Sequence, residues 1–260
     1  NGYEIDELHN VKINGATAGD LLVYGDVDGT WTNKKSIHDL TMSGSLVGPT
    51  NFVIDPAVAG NDTGTVEIKG AIDVNGRGTL LTSEECLLHP SIQVRNPGFT
   101  KDDYEAVFSE YLGVTNVIWL GDGLHGDDTH GHIDDLCRFV NEDTIVTVVE
   151  KNPEDANYQP LQDNLKRLKA AKLENGTSPK VIELPMPKKM VFENLRLPAS
   201  YANFLILNGA VLVPTFNDAN DRIALTILSE CFPGREIIGI SAVDFIWGFG
   251  SLHCLSQQMV

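Results

Sequence analysis

Residues 120–139 read LGDGLHGDDTHGHIDDLCRF, and the setting of this stretch decides what kind of fold the chain adopts. It follows a short β-branched and aromatic run, NVIWL (116–120), and precedes another, TIVTVVE (144–150). Runs of that composition read as strands. Working outward, comparable runs occupy 180–184, 204–207, 210–214 and 236–240, and an Asn208-Gly209 step between two of them is a hairpin signal. Three helices fit the gaps. Over 100–112, Thr100 can cap, Asp102 and Asp103 sit in the first turn, Tyr104, Val107, Phe108 and Tyr111 share a face, and Gly113 stops the helix. A second spans 156–171, with Leu161, Leu165 and Leu168 on one side and Pro160 near its start. A third spans 219–231 behind Asn217 and Asp218, with Ile223, Ile227, Leu228 and Cys231 directed inward. Alternation in units of a few strands per helix predicts a mixed α/β fold rather than an all-β sandwich.

A chain of 260 residues with 42% hydrophobic residues and 24 glycines can bury a sizeable core, and one domain is expected over 1–260. Residues 1–66 differ from the rest, being rich in Gly, Asp, Asn and Thr without helical period, and read as β-hairpins or a meander. Within them GDVDG (25–29) lacks the further ligands of an EF-hand loop and reads as a turn. The formal net charge of −17 repels phosphate backbones, which argues against nucleic acid and favours a cationic ligand. No stretch has the roughly 18 consecutive apolar residues of a membrane helix, and NGYEIDELHN at the start resembles no signal peptide. Cys86, Cys137, Cys231 and Cys254 are widely spaced with no CxxC pair, so reduced thiols in a cytoplasmic protein are expected rather than disulfides or a zinc knuckle.

Two segments carry chemistry. In 120–139, three histidines and five aspartates crowd into a glycine-broken loop, a costly cluster to bury without a use. In WGFGSLHCLSQQ (247–258), glycines precede Cys254, which is flanked by His253, and such a turn can present a thiol to a cleft. The His130-Gly131-His132-Ile133-Asp134 run also has the HxHxD form of a divalent-metal site, with Asp127 and Asp128 as further oxygen donors. On residue chemistry alone the metal and thiol readings stand level.

Longer motifs separate them. GDDTHGHIDDLCRFV resembles the agmatine deiminase motif GDETDGHxDxxxRF, and GSLHCLSQQ resembles that family's GNIHCxTQQ nucleophile segment. AIDVNGRGTLLTSEECLL (71–88), LPASYANFLILNGAVLVPTFNDAND (197–221) and FPGREIIGISA (232–242) agree in order and spacing. The resemblance implies a pentein, an α/β-propeller of pseudo-fivefold ββαβ modules in one domain, with 67–260 family-like and the N-terminal module (1–66) divergent or incomplete. It implies hydrolysis of the guanidine group of agmatine to N-carbamoylputrescine and ammonia, with no metal or organic cofactor. By resemblance Cys254 attacks the guanidinium carbon to form a thiouronium, His132 protonates the departing ammonia and then activates water, Asp134 clamps guanidinium nitrogens, and Asp128 faces the far amine. An extended HxD segment would put His132 and Asp134 on one face. The expected partner is a small cationic guanidino substrate, with neither nucleic acid nor membrane and with self-association left open.

The chain departs from the family pattern upstream. No RDxGP motif is present, and the nearest match puts Thr17 at the position of its Asp. The family's EGG reads Ile68-Lys69-Gly70, with Glu67 adjacent but one residue out of register and therefore on the opposite face of a regular strand. Asp26, Asp28 or Glu67 could supply a missing substrate-binding carboxylate. A catalytically impaired pentein homologue that binds a ligand or partner is the rival expectation.

Overall fold

The computed structural model describes residues 71–256 in full and, before them, the strand segments 11–12, 21–25, 30–34, 53–54 and 66–67. These fall into two units, Asn1–Ser43 and Gly44–Val260. In the first, β1 (Val11–Lys12), β2 (Leu21–Gly25) and β3 (Thr30–Lys34) form a sheet in which β2 and β3 are antiparallel and β1 lies parallel to β3. β-Hairpins or a meander are expected here, and β2 with β3 is an antiparallel pair while β1 is parallel; residues 26–29 of GDVDG, like Thr17 and Ile68, lie outside the described residues.

The second unit begins with a two-stranded antiparallel pair, β4 (Val53–Ile54) and β5 (Val66–Glu67). The same arrangement then occurs three times. In the first, β6 (Asp73–Val74) and β7 (Thr79–Ser83) are antiparallel, α1 (Glu84–Leu88) and α2 (Lys101–Leu112) follow, and β8 (Asn116–Leu120) returns parallel to β7. In the second, a short α3 (Ile133–Leu136) leads into β9 (Cys137–Phe139) and antiparallel β10 (Thr144–Val149); α4 (Tyr158–Ala170) then carries the chain to β11 (Lys180–Pro185), parallel to β10. A hairpin of β12 (Val191–Phe192) and β13 (Leu195–Arg196) intervenes. The third comprises β14 (Leu205–Ile206), β15 (Ala210–Thr215), α5 (Ala219–Cys231) and β16 (Glu236–Ser241), with the same antiparallel-then-parallel pairing. The described residues therefore hold three ββαβ modules in an α/β fold, and none of their sheets closes on itself.

Local chemistry explains these elements. Thr100 and Asp103 form a reciprocal capping box on α2, and Gly113 ends it at φ 66°. Asp218 and Asp221 do the same for α5, behind Asn217 at φ 55°. Pro160 falls in the first turn of α4, where its missing N–H costs nothing. Of the residues expected to face inward on α5, Leu228 is buried and Ile227 and Cys231 pack against the core, but Ile223 is 49% exposed and Ala224 is buried in its place. Central strands β7 and β10 are buried throughout, as parallel pairing with layers on both faces requires. Along β7 the pleat sends Leu80 to one apolar cluster, with Tyr104 and Phe108 of α2, and Leu81 to the other.

The first strands of the first two modules and the residue that leads into β14 are tied together by a buried cation. Arg138 on β9 is 1% exposed. Its Nε lies 3.4 Å from Asp73 on β6, its Nη1 donates to the Phe204 carbonyl at 3.2 Å, and its guanidinium lies over the Phe204 ring. Asp73 accepts in addition from the Phe139 N–H at 2.6 Å. Removing either charge would strand the other in the core at a cost of about 3–5 kcal/mol.

Candidate active site

The glycine-broken loop ahead of α3 is folded by Asp127. Its Oδ1 accepts from the Thr129 N–H (2.8 Å) and hydroxyl (2.5 Å), and its Oδ2 from the N–H groups of Gly131 (2.8 Å) and His132 (3.2 Å). Gly131, at φ 89°, leaves no room for a Cβ beside Ser83 and Glu85, and its carbonyl accepts from Ser83 Oγ at 2.5 Å. The loop delivers His132 as the N-cap of α3 and Asp134 and Asp135 in its first turn, both 3% exposed. The segment is thus helical rather than extended, which overturns the same-face argument for His132 and Asp134; residues two apart on a helix point in divergent directions.

The turn after β16 supplies the thiol. Asn203, just before β14, is its anchor: Oδ1 accepts from Ser251 Oγ (2.9 Å) and from the N–H groups of His253 (3.1 Å) and Cys254 (3.3 Å). The Asn203 carbonyl also accepts from the His253 N–H at 3.2 Å. On the other side, Asn203 Nδ2 lies 3.0 Å from Asp134 Oδ2, 3.1 Å from Asp135 Oδ1 and 3.0 Å from Cys254 Sγ. Cys254 Sγ is 3.4 Å from Asp134 Oδ2, and His253 Nδ1 is 2.7 Å from the same oxygen. Asp134 Oδ1 is buried with no hydrogen-bond partner among the described residues. Asp134, Asp135 and Cys254 have the mutual distances of a metal-ligand group. Their common point of approach is filled by the Asn203 amide nitrogen. The HxHxD residues are not gathered among the described residues: His130 faces Glu85 at 3.5 Å, and His132 Nε2 is 3.4 Å from Arg95 Nη2.

Electrostatics follow from this packing. Burial alone would raise the Asp134 carboxyl, but the hydrogen bond and charge of His253, with His132 and Arg138, outweigh it and hold Asp134 below the ordinary carboxylate range. Burial, and then the Asp134 charge, pushes Asp135 well above that range. Burial followed by the charges of Asp134 and Asp135 raises the Cys254 thiol, against the opposing Asn203 hydrogen bond. His132 is lowered by burial and by Arg95, against the charges of Asp134 and Asp127. Cys86, on the buried face of α1, is pushed up to about 12 by desolvation.

Of the residues expected at the site, Cys254 and Asp134 meet, and His132 lies in the field of Asp134 with its Nε2 against Arg95. Asp128 takes no part in this cluster; it is exposed, and its carbonyl accepts from Gln93 Nε2 at 2.5 Å. Glu67 is in β5, paired with Val53, and its side chain is outside the described set. Asn203, Asp135, His253 and Arg95 went unselected as site residues. His253 adjoins the cysteine, and Asp135 adjoins Asp134, so position alone could have flagged those two. Asn203 and Arg95 carry no local signal.

The model of the Porphyromonas-type peptidyl-arginine deiminase family matches residues 31–259. The agmatine deiminase of Pseudomonas fluorescens is 35% identical over 207 residues, 73% of this chain and 55% of the relative. A Cys-to-Ser variant of the C. jejuni agmatine deiminase with substrate bound is 40% identical with a TM-score of 0.66, covering 72% of this chain and 54% of that one. The agmatine deiminase of Enterococcus faecalis is 33% identical with a TM-score of 0.67, covering 74% and 56%. The chain therefore spans about half the length of the relatives it matches.

Proposed function

Because this chain belongs to the Porphyromonas-type peptidyl-arginine deiminase family, we propose that it hydrolyses the guanidinium group of agmatine to N-carbamoylputrescine and ammonia with Cys254 as nucleophile. The observation that carries the reading is the buried Asp134 carboxylate, which lies 3.4 Å from the Cys254 sulfur and has one oxygen without a partner. A guanidinium N–H donated to Asp134 Oδ1 would satisfy that oxygen and hold the central carbon beside the sulfur. The cation would also offset the two carboxyl groups that raise the thiol, so the thiolate forms where the substrate sits.

In the proposed reaction neutral His132 takes up the thiol proton, the thiolate sulfur bonds to the guanidinium carbon, and the His132 imidazolium gives that proton to the departing nitrogen. The C–N bond breaks to leave ammonia and a thiouronium. His132 then takes a proton from water, the hydroxide oxygen bonds to the same carbon, and the C–S bond breaks to return the thiolate with a ureido product. Burial and Arg95 both favour neutral His132, the form able to act as base. The three ββαβ modules support the pentein reading of the family-like part, 67–260, with the N-terminal part divergent or incomplete. A cytoplasmic setting is part of the proposal.

A second reading has its own observation. Around the sulfur the described carboxylates are Asp134 and Asp135, and Asp135 is held well above the ordinary range. One charged acid facing a guanidinium fits an impaired homologue that binds without efficient turnover. The deciding experiment measures ammonia and ureido product from agmatine, arginine and a peptidyl-arginine, with Cys254→Ser as control. Turnover of agmatine abolished in Cys254→Ser supports the enzyme; absence of product with retained agmatine binding supports the impaired homologue.

A further inference from the structure

Asn203 is 1% exposed and makes seven polar contacts in the cluster, more than any residue whose role has been argued so far. Its carboxamide orientation is fixed by its surroundings. Three donors face Oδ1 and three acceptors face Nδ2, so a flipped amide would set oxygen against two carboxyl groups and N–H against N–H. The amide nitrogen carries two protons. Facing it are Asp134 Oδ2, Asp135 Oδ1 and Cys254 Sγ, three acceptors once the thiol ionises. While the thiol keeps its proton it can donate to Asp134 Oδ2 at 3.4 Å, and the count of protons is sufficient. When it ionises, one more donor is needed at the sulfur. Asp134 still receives the His253 Nδ1 contact at 2.7 Å, so it can surrender its share of the amide.

We propose that Asn203 is the positioning residue of the thiol: one face of its carboxamide fixes the Ser251–Cys254 turn, and the other transfers an N–H from the carboxyl pair to the sulfur as Cys254 ionises. The inference rests on reading Cys254 as the nucleophile. It gives the site a donor at the sulfur that needs no cationic residue, in a chain of net charge −17 whose binding site must stay negative. Asp135, with its proton retained by burial and by Asp134, is the second consequence of the same shortage of donors.

The test is alkylation of Cys254 by iodoacetamide, located by peptide mass spectrometry and followed against pH in wild type and Asn203→Ala. The neutral reagent reads the thiolate without requiring agmatine turnover. The expected result is an upward move of the Cys254 inflection by about one pH unit, seen as about tenfold slower alkylation below it. A merely structural asparagine predicts the opposite sign, because a loosened turn lets water reach the sulfur and relieves its desolvation. An unmoved or lowered inflection therefore overturns the proposal. Should Asn203→Ala not fold, the Asn203 side-chain amide resonances of the wild type decide. They should titrate with the thiol and cease to do so in Cys254→Ala, and an amide indifferent to Cys254 overturns the role. If agmatine is not turned over yet the inflection rises, the positioning role stands and the functional reading falls; turnover with an unmoved inflection gives the converse.

Discussion

Asp134→Asn should change two properties of the site in opposite directions. The carboxylate lies 3.4 Å from the Cys254 sulfur and, after burial, is the largest cause of the raised thiol. Two unit charges at 3.4 Å interact by about 5 kcal/mol at an effective dielectric of about 20, an upper bound that water at the partly exposed sulfur reduces. At about 1.4 kcal/mol per pKa unit, even a residual third of that lowers the thiol by about one unit and raises the thiolate fraction about tenfold. Alkylation by neutral iodoacetamide should therefore accelerate about tenfold at fixed pH. Agmatine turnover should fall. An asparagine that keeps its oxygen toward His253 Nδ1 and Asn203 Nδ2 puts an NH2 group where the unpartnered Oδ1 stood, so a charge-assisted bond of about 1.5–3 kcal/mol becomes a donor facing a cation. The expected loss in kcat/KM is about two orders of magnitude or more. The paired assay is iodoacetamide alkylation with peptide mapping beside ammonia release, on the same preparation. If alkylation and turnover fall together, Asp134 is holding the fold and the electrostatic reasoning is refuted.

His132→Gln should lower kcat by about 10²–10⁴ with a lesser effect on KM, measured under steady state. Because burial first and Arg95 second lower His132, wild-type kcat/KM should fall with acid only below the ordinary histidine value of about 6.5. Arg95→Gln should shift that limb upward, and a wild-type limb at or above the ordinary value contradicts the assignment. For Asp135, burial and Asp134 raise the folded-state pKa above the unfolded value of about 3.9. The stability linked to its proton is thus complete below about pH 4 and is lost as pH rises through the raised value. Asp135→Asn should escape that loss and be more stable than wild type at neutral pH in urea titrations, with the difference shrinking toward about pH 4; a variant less stable throughout would refute this. At Gly250 an added Cβ would meet Cys254 Cβ at 2.7 Å, so Gly250→Ala should cost about 1–3 kcal/mol in chemical denaturation and displace the thiol enough to abolish turnover.

Much of the module architecture could be read from residue order, because its signals are local. Thr100 and Gly113 bound α2 within a residue of expectation, and Asp218 starts α5 at Ala219. The Asn208-Gly209 step does join antiparallel β14 and β15, although neither residue takes the positive φ of a type I′ turn. The recurrence of ββαβ was expected only through the family resemblance and not from the residues themselves, since what repeats is strand pairing rather than side-chain identity. Around the thiol, Cys254 and Asp134, singled out by motif, lie together, but the HxD segment is not extended: after the loop held by Asp127, residues Ile133–Leu136 form a short helix with His132 at its N-cap. Asn203 escaped notice because its contacts reach 51 and 69 residues along the chain, and no periodicity encodes a distance of that kind.

Those same separations bear on the order in which the protein matures. Cys254 and Asp134 are 120 positions apart, and the bridge between them through Asn203 closes two long loops. Non-local contacts form late, after the entropy of closure has been met by other interactions. A refolding chain can complete the sheet of β9, β10 and β11 with α4 packed on it, and recover most of its helical signal, while its thiol is still an ordinary surface cysteine. Competence should lag behind secondary structure. In the reverse direction, fraying of the few hydrogen bonds that hold the Ser251–Cys254 turn would silence the chemistry while the buried strands stay protected from exchange.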